Sequence, residues 1–110
     1  MNLFQACLAA CAALSTAASA QAAELKVGVL YPLTGPGASY GTSAMQGHDL
    51  AIAQINAGGG VNGAKLVSIA RDTQLNPSLS ATAARELITK DGVQVLVGTV
   101  SSAVGLAVSE

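Results

Sequence analysis

The stretch TGPGASYG, Thr34 to Gly41, places Gly35 and Gly37 at a G-x-G spacing directly after a short apolar run. Glycines so placed let backbone N–H groups close around a phosphate. A dinucleotide fingerprint needs its third glycine at position 40, but that residue is Tyr40, and glycine arrives one place late at Gly41. Asp72 lies far beyond the ~20 residues at which a ribose-binding acid is expected. In GGGVNGAK, Gly58 and Gly63 have P-loop spacing, yet Ala64 stands where the lysine must be and no strand precedes them. That segment reads as a helix stop followed by a turn.

Other reactive side chains are sparse. His48 is the only histidine, has no cysteine beside it, and reads as a partly buried helix residue. Asp72 stands between Arg71 and Thr73 at the end of an apolar run. A phospho-acceptor role needs further acidic residues near the end of the first strand. They are absent, so Asp72 reads as a solvated or loop-capping carboxylate. Ser101 and Ser102 have no histidine or acid placed by the sequence to activate them. At a helix start, their hydroxyls and the free N–H groups can cap the helix or hold an anion such as a carboxylate. The pattern predicts no catalysis, no metal and no cofactor. A Rossmann-type nucleotide-dependent enzyme is the weakest reading.

The elements that must position these residues follow from periodicity. LKVGVLY (25–31) is a short apolar run of buried-strand type. TSAMQGHDLAIAQINA (42–57) has residues 44, 45, 48, 51, 52 and 55 at the spacing of one helix face. GGG (58–60) ends that helix. AKLVSIARD (64–72) reads as a second strand. Asn76 as N-cap and Pro77 at N1 open a second helix, with Ala81, Ala84, Leu87 and Ile88 on one side. Gly92 stops it. VQVLVGTV (93–100) is the third strand, and SSAVGLAVSE begins a third helix. The expected fold is α/β: a βαβαβα chain, a parallel sheet of strand order 2-1-3, and flanking helices. The apolar first and third strands fit burial on both faces. The loops after the strands lie together at the carboxyl edge, where ligands bind such sheets.

The chain has 110 residues and a formal net charge of −1. Its charges all lie at or after Glu24, with no basic run and only three aromatics, so nucleic acid is not an expected partner. ACLAACAALSTAASA is uncharged and rich in alanine, and small residues follow at cleavage-type spacing, after Ala20 or Ala22. Residues 1–22 therefore read as a signal peptide without a basic start. Its Cys7 and Cys11 would be removed on export; a lipid anchor at Cys11, within LAAC, is the lesser alternative. Residues 23–110 make a thin core. No stop signal ends the last helix, and the chain reads as the amino-terminal piece of something longer.

LTGPGASYG, AIAQINAGGGVNGAKL, RDTQLNP and VLVGTVSS occur in this order from Leu25 onward. Together they resemble the start of the periplasmic leucine/isoleucine/valine-binding proteins, the solute-binding subunits of ABC importers. The resemblance implies a two-lobed protein of the type I periplasmic binding fold that closes on its ligand, with this chain as the first part of the amino-terminal lobe. It implies a branched-chain amino acid or similar small ligand, a membrane permease as partner, and a periplasmic location. It places Tyr40 on the lining of the ligand cleft. It places Ser102, four residues after Gly98, on the ligand's α-carboxylate, with Ser101 beside it. Ser101 stands where some members carry a cysteine, and the partner place near Leu75 has none, so the family's disulfide is not expected. The same lobe serving a receptor or regulator as a sensing module is the alternative.

Overall fold

The computed structural model describes residues 23–110. The expected signal peptide, with Cys7 and Cys11, lies outside the described residues. The elements alternate as β1 (Glu24–Tyr31), α1 (Ala38–Ala57), β2 (Lys65–Asp72), α2 (Pro77–Thr89), β3 (Val95–Gly98) and α3 (Ser102–Ser109). The three strands form one parallel sheet in the order β2-β1-β3. Glu24 to Tyr31 pairs in register with Lys65 to Asp72, and Val27 to Leu30 pairs with Val95 to Gly98. A parallel neighbour can be reached only by a crossover, and the helical periodicity between strands supplies it.

Side chains alternate along each strand and divide the core in two. On one face Val27, Val29 and Leu66 are buried, with Met45 and Ile52 of α1 packed on them. On the other, Leu30 packs with Ala83, Ala84 and Leu87 of α2, and with Val108 of α3. Thus α1 covers one face, while α2 and α3 cover the other and pack on each other. Leu30 and Leu87 are 1% and 0% exposed. Each such burial stabilises the fold by about 1.5–3 kcal/mol.

The expected strand order and crossover pattern hold, and Asn76 and Pro77 open α2 as the sequence predicts. Several details differ. The inner face of α2 is Ser80, Ala83, Ala84 and Leu87, whereas Ile88 is 52% exposed. Ala51 and Ile55 of α1 face outward, because the helix rests on the sheet through Met45, His48 and Ile52 instead. β3 is only four residues long and Val95 is 45% exposed, so burial on both faces holds for β1 but not for β3. Among the described residues, β3 is an outer strand flanked on one side only.

α1 begins at Ala38, four residues before the expected start. Gly41 is therefore a helix residue rather than a loop residue. A Cβ there would lie 1.8 Å from the carbonyl oxygen of Pro32, so only glycine lets the first turn of α1 press on the chain leaving β1.

Candidate functional site at the carboxyl edge of the sheet

Three connections leave the carboxyl ends of the strands: Pro32–Gly37 after β1, Thr73–Asn76 after β2, and Thr99–Ser101 after β3. β1 and β3 are neighbours whose following helices lie on opposite faces. A doubly wound sheet opens a crevice at such a point, with a helix N-terminus directed to it from each side.

Tyr40 sits in the first turn of α1 on one flank of this crevice, and Ser101 and Ser102 sit at the start of α3 on the other. The expected loop position of Tyr40 is thus corrected to a helical one, because the Gly41–Pro32 contact lets the helix start early. Tyr40 is 68% exposed. Ser102 is exposed and Ser101 half-buried. Ser101 is the N-cap of α3 by backbone geometry, yet its hydroxyl makes no capping hydrogen bond. That leaves its oxygen available at a helix N-terminus, where partial positive charge favours an anion.

The route from β3 to these serines is sharply bent. Gly98 has φ 139°, and a Cβ there would lie 2.2 Å from the Leu30 carbonyl oxygen. Thr99 follows at φ 67°, a conformation uncommon for a β-branched residue, while its N–H donates to that same Leu30 oxygen at 2.9 Å. Gln74 and Leu75 also have positive φ, 49° and 56°. Backbone strain of this kind is concentrated at functional edges.

Asp72 ties the first two connections together. Its carboxylate accepts the Leu33 N–H at 2.8 Å, the Gln74 N–H at 3.0 Å and the Thr34 hydroxyl. Partial burial pushes its pKa up. The hydrogen bonds from the Thr34 hydroxyl and from the Leu33, Gln74 and Thr34 N–H groups outweigh this, holding it below its ordinary 3.8. The loop-capping reading of Asp72 holds. The sequence does not disclose its partner Thr34, which lies 38 residues away. His48 is half-buried, with Nε2 2.7 Å from the Ser68 hydroxyl, so it joins α1 to β2 away from this edge. Among the described residues there is no enclosed pocket and no cluster of His, Cys, Asp or Glu able to hold a metal. The carboxyl edge is an open surface among the described residues.

A parallel sheet of this order, with two helix N-termini and strained loops at its carboxyl edge, defines an α/β ligand-binding scaffold. The chain belongs to the periplasmic binding protein family, whose pattern it matches over residues 24–110. It is 39% identical over 98 residues to a Leu/Ile/Val-binding protein of Citrobacter freundii, covering 89% of this chain and 26% of that protein. It is 38% identical over 95 residues to a Leu/Ile/Val/Thr-binding protein of Salmonella typhimurium, covering 86% of this chain and 26% of that one. The chain thus spans about a quarter of the length of these relatives.

Among solved structures it resembles the branched-chain amino acid substrate-binding protein LivJ of Streptococcus pneumoniae in complex with isoleucine. There the TM-score is 0.74 and the identity 29%, over 77% of this chain and 24% of that one. A Rhodopseudomonas palustris solute-binding protein in complex with 4-hydroxybenzoate is similar with TM-score 0.69 and 32% identity, over 78% of this chain and 23% of that one. No helix among the described residues is long and apolar enough to cross a membrane.

Proposed function

We propose that this chain is the first part of the amino-terminal lobe of an extracytoplasmic solute-binding protein. In this reading residues 1–22 direct export, residues 23–110 form the first part of that lobe, and the complete protein delivers its ligand to the membrane permease of an ABC importer. It binds and does not catalyse. The ligand is a branched-chain amino acid or a close relative. Ser102 and the N–H groups opening α3 hold its α-carboxylate, with Ser101 beside them, and Tyr40 covers its apolar part from the opposite flank.

The observation that carries this reading is the helix start at Ser101–Ser102. It lies at the crevice between β1 and β3, with a serine hydroxyl that makes no capping bond. A helix N-terminus with available hydroxyls suits a carboxylate. The match to Leu/Ile/Val-binding relatives supports the ligand class.

Thermal unfolding of the complete protein tests the proposal. A ligand at 100 times its Kd stabilises the folded state by about 2.7 kcal/mol, so leucine, isoleucine or valine should each raise Tm. Ser102→Ala should weaken that ligand by about tenfold, equivalent to ~1.4 kcal/mol, with little change in the unliganded Tm. A shift with 4-hydroxybenzoate or another aromatic acid, and none with the aliphatic amino acids, would replace the ligand class. No shift with either class would remove the binding role.

A further inference from the structure

The two loops on the β1–β2 side of the edge are held as one unit, and the bond that unites them is not part of the sheet. The Leu33 N–H and Thr34 hydroxyl from the first loop meet the Gln74 N–H from the second on a single carboxylate, that of Asp72. The second loop then returns the contact. Leu75, held at φ 56°, lays its side chain against Gly37, where a Cβ would lie 2.8 Å from Leu75 Cδ1. Gly37 is the N-cap of α1, and Tyr40 lies in the turn that follows. A continuous chain of contacts therefore runs from Asp72 through Thr34 and through Gln74–Leu75–Gly37 to the start of α1.

We infer that Asp72 is a positioning residue for ligand recognition. It clamps the β1–α1 and β2–α2 loops into one rigid wall and so sets where Tyr40 stands before any ligand arrives. The consequence for affinity rests on the ligand-binding reading above; the clamp itself does not. The physical basis is charge and geometry. A carboxylate accepting several N–H and O–H donors is stronger than neutral pairs, and its oxygens suit loops that approach from different strands. Left-handed backbone at Gln74 and Leu75 persists only where its surroundings over-determine it, and Asp72 supplies part of that constraint. A wall fixed in advance spares the ligand the ordering entropy of two loops.

Hydrogen exchange and ligand titration on the complete protein test this together, with Asp72→Ala and Thr34→Val as variants. Thr34 is exposed, so its replacement removes one arm of the clamp without touching the core. The reporters are the amides of Ala38 and Gly41, which donate to Gly35 and Gly37 at 3.1 and 3.2 Å, and that of Gln74. Both variants should speed exchange at these amides while those of Val29, Leu30 and Leu87 stay as protected as before.

Each variant should also raise Kd for whichever amino acid the unaltered protein binds, by about tenfold for Asp72→Ala and less for Thr34→Val. Unchanged exchange at Ala38 and Gly41 in both variants would overturn the clamp. Faster exchange with an unchanged Kd would overturn its role in recognition. Should the unaltered protein bind no amino acid, the ligand reading falls, and the exchange measurement still decides the clamp.

Discussion

Asn56, near the end of α1, pairs its side-chain amide with both backbone polar groups of Leu66 in β2. Its Nδ2 donates to the Leu66 carbonyl at 2.9 Å, and its Oδ1 accepts the Leu66 N–H at 2.8 Å. β2 is an outer strand, so these groups point away from the sheet. The asparagine stands in for a neighbouring strand and fastens the carboxyl end of α1 to the sheet edge.

Asn56→Ala should therefore destabilise the fold by about 1–3 kcal/mol, since it leaves two partly buried backbone groups without partners. Asn56→Asp at neutral pH should do no better, because a carboxylate oxygen would then face the Leu66 carbonyl. Urea unfolding midpoints measure both. An Asp variant as stable as the unaltered protein would show that the donated bond contributes nothing.

The two serine- and asparagine-capped helices should respond differently to truncation. The Asn76 side chain accepts the Leu79 N–H at 3.0 Å, whereas the Ser101 hydroxyl makes no such bond. Asn76→Ala should lower stability by about 1 kcal/mol, and Ser101→Ala by only a few tenths. Chemical denaturation of both variants in the absence of ligand makes the comparison. A full capping loss at Ser101 would mean that its oxygen is already engaged by the helix.

Gly98→Ala brings a Cβ to within 2.2 Å of the Leu30 carbonyl oxygen, at a φ of 139° that side chains rarely adopt. Neither atom is the end of a flexible side chain, so backbone must move. The expected cost is about 2–4 kcal/mol, with the Thr99–Ser102 turn displaced. Tm and the Leu30 and Thr99 amide shifts by NMR report the two effects. A variant with unaltered shifts would mean that the strand end absorbs the methyl group.

Acid should loosen the carboxyl edge through Asp72. Its folded-state pKa lies below the ordinary 3.8, so the unfolded chain takes up the proton first as pH falls. The stabilisation is present above about 3.8 and is lost as pH drops through the lower folded-state value. Asp72→Asn should remove this part of the pH dependence. Stability against pH, measured for both forms, checks the sign; equal acid slopes would assign the loss to other carboxylates.

Alternating apolar runs and helical spacing determined the βαβαβα order, and the crossover rule made 2-1-3 the economical sheet. Asn76–Pro77 announced the start of α2, because capping is a bond between residues three apart. The glycines at 58–60 marked the end of α1, and the glycine spacing around Tyr40 already argued against a phosphate site. These signals are local, so they survive in a single sequence. Tertiary structure decided what depends on distant partners. α1 starts at Ala38 because Gly41 meets Pro32 across a turn. Leu33 and Thr34 meet Asp72, and Asn56 meets Leu66, only once β1, β2 and α1 are in register. Ile55, Ile88 and Val95 are apolar by type, yet their exposure depends on how each helix or strand is rotated and flanked within the assembled sheet. Hydrophobicity is nondirectional and shows in composition and period. Hydrogen bonds and close contacts are directional, and these join segments that the sequence keeps far apart.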